Sequence, residues 1–158
     1  MADPALMRIR LNIVMWQKKD DDFPMNLATL RVQGPDSSLE ELKELLGLVI
    51  DAEWHAGDER RSGSVHEFSG FNATVADAST PKQMTELMRT FWARCIEKGV
   101  AFPWRGITAE LAVGLAIGDS TQFVAGIELV PSDISLCAEC GMTLSVTAYP
   151  TSDEANAT

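Results

Sequence analysis

Two cysteines three positions apart, Cys137 and Cys140, and the two histidines, His55 and His66, are the residues of this sequence best suited to chemistry. A C-x-x-C pair on a helix places both thiols on one side, where they can bind zinc or form a redox pair. Zinc needs four ligands, so all four residues would have to converge from distant parts of the chain. No second C-x-x-C is present. The simpler interpretation is a pair of small, semi-buried residues with no metal and no cofactor.

Other catalytic signatures are missing from the sequence. Neither histidine lies beside a serine or cysteine in a local nucleophile signature, and no glycine-rich phosphate loop occurs. Catalytic groups can also meet in space, so a small enzyme or metal-binding protein that uses His55 or His66 with Cys137 or Cys140 is the first alternative. The leading expectation is a protein that is not an enzyme.

Aromatic and charged residues in two predicted loops indicate a binding surface instead. Trp104 and Arg105 follow a proline, and Trp54 and His55 precede a Gly-Asp turn that ends at Asp58. Tryptophan and arginine most often anchor interfaces, because one side chain buries a large area and also offers a directed hydrogen-bond donor. We therefore predict that these five residues contact a partner. Trp54 also continues an inward-facing strand pattern, so closing the core is its alternative role.

The charge of the chain restricts the class of partner. Among 158 residues there are 23 Asp and Glu against 13 Lys and Arg, a net charge of -10. Such a chain repels nucleic-acid phosphates and favours encounter with a basic protein. Asp20, Asp21 and Asp22 lack the ligand spacing of a calcium loop, which favours a charged loop, and we assign them to the same partner-binding set.

Length and composition predict one cytoplasmic domain. The N-terminus lacks the basic flank and apolar stretch of a signal peptide, and no apolar run approaches the length that crosses a bilayer. Three cysteines are too few for a disulfide framework, so reduced thiols are expected. We place a single α+β domain at residues 1–150 and a polar tail at residues 151–158, with no membrane partner.

Periodicity supplies the elements of the fold. Alternating apolar residues predict strands at Met7–Met15, Leu27–Val32, Leu48–Trp54, Val65–Phe71, Leu111–Ile117, Phe123–Leu129 and Met142–Ala148. Helical spacing predicts a helix capped by Ser38 and Glu41 that ends at Gly47, a long helix from Pro81 to Gly99, and a short helix from Ser132 to Cys140. Thr80 and Gln83 form the capping box of the long helix, whose apolar stripe is Met84, Leu87, Met88, Phe91, Trp92, Cys95 and Ile96.

The short connections favour a mostly antiparallel sheet with two main helices and one short helix on one face. The stretch from Leu27 to Ile117 fits a ferredoxin-like β-α-β-β-α-β unit. If Met7–Met15 is an exposed edge strand, it offers a route to a homodimer. A self-associating structural domain is therefore the second alternative.

Two stretches of the sequence resemble the bacterial domain of unknown function 4279 family. The first is Leu39-Glu-Glu-Leu-Lys-Glu-Leu-Leu-Gly-Leu48 followed by Trp54-His-Ala-Gly-Asp58, and the second runs from Ala109 to Tyr149. The resemblance implies no reaction. Such proteins look like the small immunity partners that accompany bacterial toxins, which implies a protein that neutralises a basic toxin by occluding it.

Overall fold

A computed structural model describes residues 26–118 and 122–150 of the chain. The elements in order are β1 (Asn26–Gly34), α1 (Asp36–Leu46), β2 (Ile50–Trp54), β3 (Ser69–Ala78), α2 (Pro81–Glu97), β4 (Thr108–Ile117), α3 (Pro131–Glu139) and β5 (Thr143–Pro150). The predicted strand Met7–Met15, the acidic run at Asp20, Asp21 and Asp22, and the tail 151–158 lie outside the described residues.

The five strands form one sheet in the order β2-β3-β1-β4-β5. β1 pairs antiparallel with both β3 and β4, and β2 pairs antiparallel with β3. The first six elements therefore have the order and pairing of a ferredoxin-like unit, in which one strand is inserted between two strands joined by a helix. The predicted α+β class and the ferredoxin-like unit are confirmed.

The last strand makes the sheet mixed, because β5 runs parallel to β4. Parallel neighbours require a crossover, and residues 122–130 together with α3 supply it. The predicted strand Phe123–Leu129 is wrong: the segment lies in no described ladder, while Ala125, Ile127 and Leu129 pack against the core. Phe123, the first residue of the same alternating series, is 77% exposed, so alternation identified only part of the inward side and no hydrogen-bonding partner.

All three helices contribute to one buried cluster with alternate residues of the strands. β1 contributes Ala28, Leu30 and Val32, and α2 contributes its largest buried side chain, Trp92. The predicted stripe of α2 is buried or half-buried except at Leu87, which is 43% exposed. One face of the sheet is therefore covered by helices, as predicted.

Two helix starts test the predicted caps. Thr80 caps α2 as expected, since its Oγ1 accepts a hydrogen bond from the Gln83 amide at 3.2 Å. The cap predicted at Ser38 is wrong, because α1 begins at Asp36 with Pro35 before it and has no side-chain cap. Pro35 favours the extended conformation that precedes a helix, so the helix starts three residues earlier than the Ser-x-x-Glu pattern suggested.

The fourth predicted strand, Val65–Phe71, is displaced. β3 begins at Ser69 and continues to Ala78, through a polar stretch that showed no clear period. Its inward residues are small, as at Ala73 and Ala76, and a register irregularity opposite Ala28 and Thr29 interrupts the alternation. Small residues and a bulge together hide a strand from periodicity.

A buried carboxylate fastens α3 to α2. Asp133 is 1% exposed and accepts hydrogen bonds from Arg89 Nε at 2.5 Å and Arg89 Nη2 at 2.9 Å. It also accepts from the Val130 amide at 3.0 Å, which satisfies a free donor at the start of α3. The Arg89 guanidinium holds the pKa of Asp133 below its ordinary value.

We expect Asp133→Ala to lower the free energy of unfolding by about 2–3 kcal/mol, because it removes charge-assisted hydrogen bonds and a helix cap together. Since folding lowers the pKa of Asp133, its contribution is present above the ordinary value of 3.8 and is lost as the pH falls below it. Urea unfolding at neutral and acidic pH measures both effects. Glu139→Ala, an exposed change on the same helix, is the control; an equal loss in both variants would contradict the assignment.

Candidate partner-binding surface

The two predicted loops enter the sheet at the same end. β3 and β4 both run antiparallel to β1, and their first residues lie opposite its last ones: Ser69 pairs with Gly34, and Thr108 pairs with Gln33. The loops that precede β3 and β4 are therefore both close to the start of α1, which follows β1 directly. The loop surface is the name given to five residues at this end: Trp54 at the end of β2, His55 and Asp58 in the loop that follows, and Trp104 and Arg105 in the loop before β4.

Each loop is also held to α1 by an ion pair. His55 Nδ1 lies 3.2 Å from Asp36 Oδ1, at the first residue of α1. Arg105 Nη1 pairs with Glu41 Oε1 one turn and a half further along. Both ion pairs are exposed, so each contributes little stability by itself but restricts where its loop lies. Neither carboxylate is among the residues selected from the sequence, because ion pairs between distant segments leave no local pattern.

Trp54 is half-buried and held from three sides. A side chain at Gly70 would come within 2.6 Å of its ring, so the tryptophan lies directly on the β3 backbone. Its ring stacks on His66 with centroids 5.2 Å apart, and its Nε1 donates to the Phe68 carbonyl at 3.0 Å. His66 falls within the predicted strand Val65–Phe71, but it lies in the loop before β3 and is buried. These contacts fix the orientation of the Trp54 ring.

His55, Asp36 and Ser69 resemble a catalytic triad only in composition. The Ser69 hydroxyl and the His55 imidazole both contribute to lowering the pKa of Asp36, with the hydroxyl first, so each interacts with the carboxylate. Ser69 is buried, and its Oγ accepts a hydrogen bond from the Ala56 amide at 2.9 Å. A nucleophilic serine needs a base at its own hydroxyl, which the carboxylate occupies here. These three residues therefore hold the loop between β2 and β3 against the start of α1.

Trp104 and Arg105 occupy a tight turn. Trp104 and Ile107 exchange backbone hydrogen bonds at 2.9 and 2.8 Å, and Arg105 between them has a φ of +48°. Non-glycine residues adopt this conformation infrequently and at some cost in energy, often at functional sites. The Arg105 guanidinium lies 4.8 Å from the centre of the Trp104 ring, and Trp104 is half-buried against the core. The turn thus presents an aromatic ring with a cation beside it.

The three thiols lie between α2 and α3. Cys140 Sγ is 3.5 Å from the Trp92 carbonyl, and Cys137 Sγ is 3.7 Å from the Met142 carbonyl. Cys95 is also buried, and it interacts with Cys140. Burial raises the pKa of Cys95 to about 12 and that of Cys140 to about 11, and it also raises the pKa of Cys137. Such thiols are protonated at neutral pH and are poor nucleophiles.

Two further features of the described residues bear on chemistry. Over residues 26–118 and 122–150, no three His, Cys, Asp or Glu side chains are grouped so as to hold a metal ion. An open groove of about 500 Å³ lies where β3 leads into α2, and its lining has carboxylates but no histidine or cysteine: Asp77, Ala78, Ser79, Gln83, Glu86, Leu87 and Thr90. The Ser79 hydroxyl in this groove donates a hydrogen bond to Gln83 Oε1 at 2.6 Å.

The negative charge is concentrated near the loop surface. Residues 36–68 hold nine acidic residues against three basic ones, an excess of six out of the ten in the whole chain. Lys43, one of the three basic residues, is held by Glu40 at 2.6 Å and by Glu53 at 2.5 Å. The surroundings of the loop surface are therefore strongly acidic.

Comparison of the chain with protein-family models, curated proteins and solved structures finds no match. The resemblance to the domain of unknown function 4279 family stays a prediction. None of the helices in the described parts of the chain has the length and apolar character needed to cross a membrane.

We expect the measured pKa of His55 to lie above its ordinary value of 6.5, because Asp36 stabilises the protonated imidazole. The stabilisation that this pair gives is complete below that value and is lost as the pH rises through the folded pKa. An NMR titration of the imidazole of wild type and Asp36→Asn measures the effect. The variant should titrate at a lower pH; identical titrations would exclude the pair.

We also expect all three thiols to resist modification in the folded protein, because each is buried and its pKa is raised. A coloured disulfide reagent at pH 8 should react slowly with native protein and rapidly with three thiols after denaturation. The single variants Cys95→Ala, Cys137→Ala and Cys140→Ala identify any thiol that reacts early. Rapid native reaction of Cys137 or Cys140 would support redox chemistry instead.

Proposed function

We propose that this protein is a non-enzymatic binding protein whose partner docks on the loop surface. The observation that supports this most directly is the convergence of Trp54 with Trp104 and Arg105, from loops about 50 residues apart, at the start of one helix. Interfaces take most of their binding energy from a few such residues at their centre. Both aromatic rings are already fixed, so binding would order few side chains.

The charge around the loop surface favours a basic partner. Glu40, Glu41 and Glu44 lie on exposed positions of α1, and Asp58 belongs to the loop surface. A concentrated negative field speeds the encounter with a positive surface and discourages acidic competitors. The same field repels nucleic acid, which makes a protein the preferred partner.

An immunity protein is the form of this function that the resemblance implies. A toxin that acts on nucleic acid needs a basic active site, and an acidic surface with aromatic anchors would occlude it. Immunity in this sense requires binding alone and no reaction. It is compatible with thiols that are protonated and with a carboxylate, Asp36, that is engaged by His55 and Ser69.

The enzymatic alternative requires His55 or His66 to meet Cys137 or Cys140. The described contacts of these residues lead elsewhere: His55 to Asp36, His66 to Trp54, and the two thiols to carbonyls of Met142 and Trp92. No observation favours this alternative over binding.

Capture from an extract of the native host at low salt tests the proposal. Immobilised full-length chain should recover a basic protein, and that protein should be lost when Glu44→Lys replaces the wild type, because the reversed charge opposes it. Glu97→Lys, the same change at an exposed position at the end of α2, should retain it. If wild type recovers no protein that Glu44→Lys loses, the proposal is wrong.

For the captured protein, Trp104→Ala should raise the dissociation constant about 30-fold, the effect of losing about 2 kcal/mol of binding free energy at an anchor residue. Arg105→Ala removes the cation that lies over the Trp104 ring but keeps the ring itself, and Lys98→Ala is the exposed control. Calorimetric titration measures the affinities, and circular dichroism checks folding. A captured toxin should also lose its activity when wild type is added.

A further inference from the structure

The two edges of the sheet differ in how they are protected against pairing with another strand. Exposed strand edges pair readily, and proteins usually prevent this with short strands, charges or bulges. β2, at one edge, has all three: it is five residues long, it contains Asp51 and Glu53, and its register shifts between Ile50 and Ala52. β2 is therefore unsuited to further pairing.

β5, at the opposite edge, has none of these protections over most of its length. It has eight residues, none of them charged, and its register with β4 is continuous. Proline occurs only at its last position, Pro150. Within the described parts of the chain no strand pairs with its outer edge. Val146 is 46% exposed, and Thr147 and Ala148 are exposed beside it.

The distribution of charge identifies what can approach this edge. The acidic excess of residues 36–68 belongs to α1, β2 and the loop that follows; β2 is four strand spacings from β5, and α1 packs on β1 and β3, which are two and three spacings from β5. At a spacing of about 4.8 Å these separations are about 19 Å for β2 and about 10 to 14 Å for α1, longer than the Debye length of about 8 Å at physiological salt. Two copies that meet through β5 therefore approach by an edge remote from this acidic cluster.

We propose that β5 is a dimerisation strand, and that it pairs antiparallel with β5 of a second copy across a two-fold axis. The result is a continuous sheet of twice the five described strands. A two-fold axis requires a strand that is complementary to itself, and a strand of Thr, Ser, Val and Ala residues satisfies this without opposing like charges. A charged strand such as β2 would not.

This dimer is independent of the proposed function. The loop surface lies at the end of β2, in the loop that follows it and in the loop before β4, and none of its residues belongs to β5, so pairing along the outer edge of β5 uses none of them. A single strand pair buries little area compared with a stable interface, so the dimer should be weak and concentration-dependent.

Sedimentation of the full-length chain over a wide concentration series tests the proposal. The weight-average mass should rise from 17.2 kDa towards twice that value as the concentration increases. Thr147 lies near the middle of β5, where a two-fold axis brings its two copies together. Thr147→Glu and Thr147→Lys should therefore each remain monomeric, whereas an equimolar mixture of the two should dimerise.

The mixture separates loss of pairing from loss of folding, because two misfolded chains would not restore a dimer of defined mass. Ala52→Glu puts the same charge at an exposed position of β2 and should dimerise like the wild type. A wild-type chain that is monomeric at every concentration overturns the proposal. So does a dimer that both Thr147 variants retain, or a mixture that stays monomeric.

Discussion

The central position of β1 is the constraint on which the rest of the structure depends. Its inward residues Ala28, Leu30 and Val32 are buried, and antiparallel strands pair along both of its sides. Because β3 and β4 run opposite to β1, both must begin where β1 ends. The loops that precede them are therefore brought to one end of the sheet, although a long stretch of chain separates them. Neither loop needs much structure of its own to reach that position.

Carboxylates of α1 then fix the details of that end. Asp36 engages His55 and Ser69, and Glu41 engages Arg105, so each loop has an acidic partner on the same helix. The excess of acidic residues leaves this region negative even after its cations are paired. Carboxylates therefore serve twice here: they position the two loops, and they give the region its negative charge. The pair of Arg89 with the buried Asp133 plays a different part, since it joins two helices away from the loops.

The two edges of the sheet differ in charge, length and regularity. The charged, bulged and short β2 lies beside the acidic helix, and the neutral, regular β5 lies at the far side. The parallel crossover through α3 adds β5 beyond β4, so the strand that closes the ferredoxin-like unit is not left at the edge. The buried thiols pack beneath this crossover, where small apolar side chains allow α2 and α3 to approach closely.

The amino-acid sequence by itself determined the elements whose residues interact locally or alternate strongly. The apolar stripe and Thr80 cap of α2, the alternation in β1 and β4, and Gly47 at the end of α1 predicted these elements, because helix and strand patterns depend on neighbours within a few positions. The α+β class followed from their order. Trp54, His55, Asp58, Trp104 and Arg105 were selected by residue type alone.

Only the tertiary structure decided which of these elements meet. The parallel direction of β5 and the position of the strand Ser69–Ala78 depend on pairing between distant segments. Periodicity does not encode that pairing. For the same reason the partnership of Asp36 with His55, of Glu41 with Arg105 and of Cys95 with Cys140 was not predictable: the sequence specifies which side chains have charge or sulfur, and the packing of the sheet decides which ones come within bonding distance.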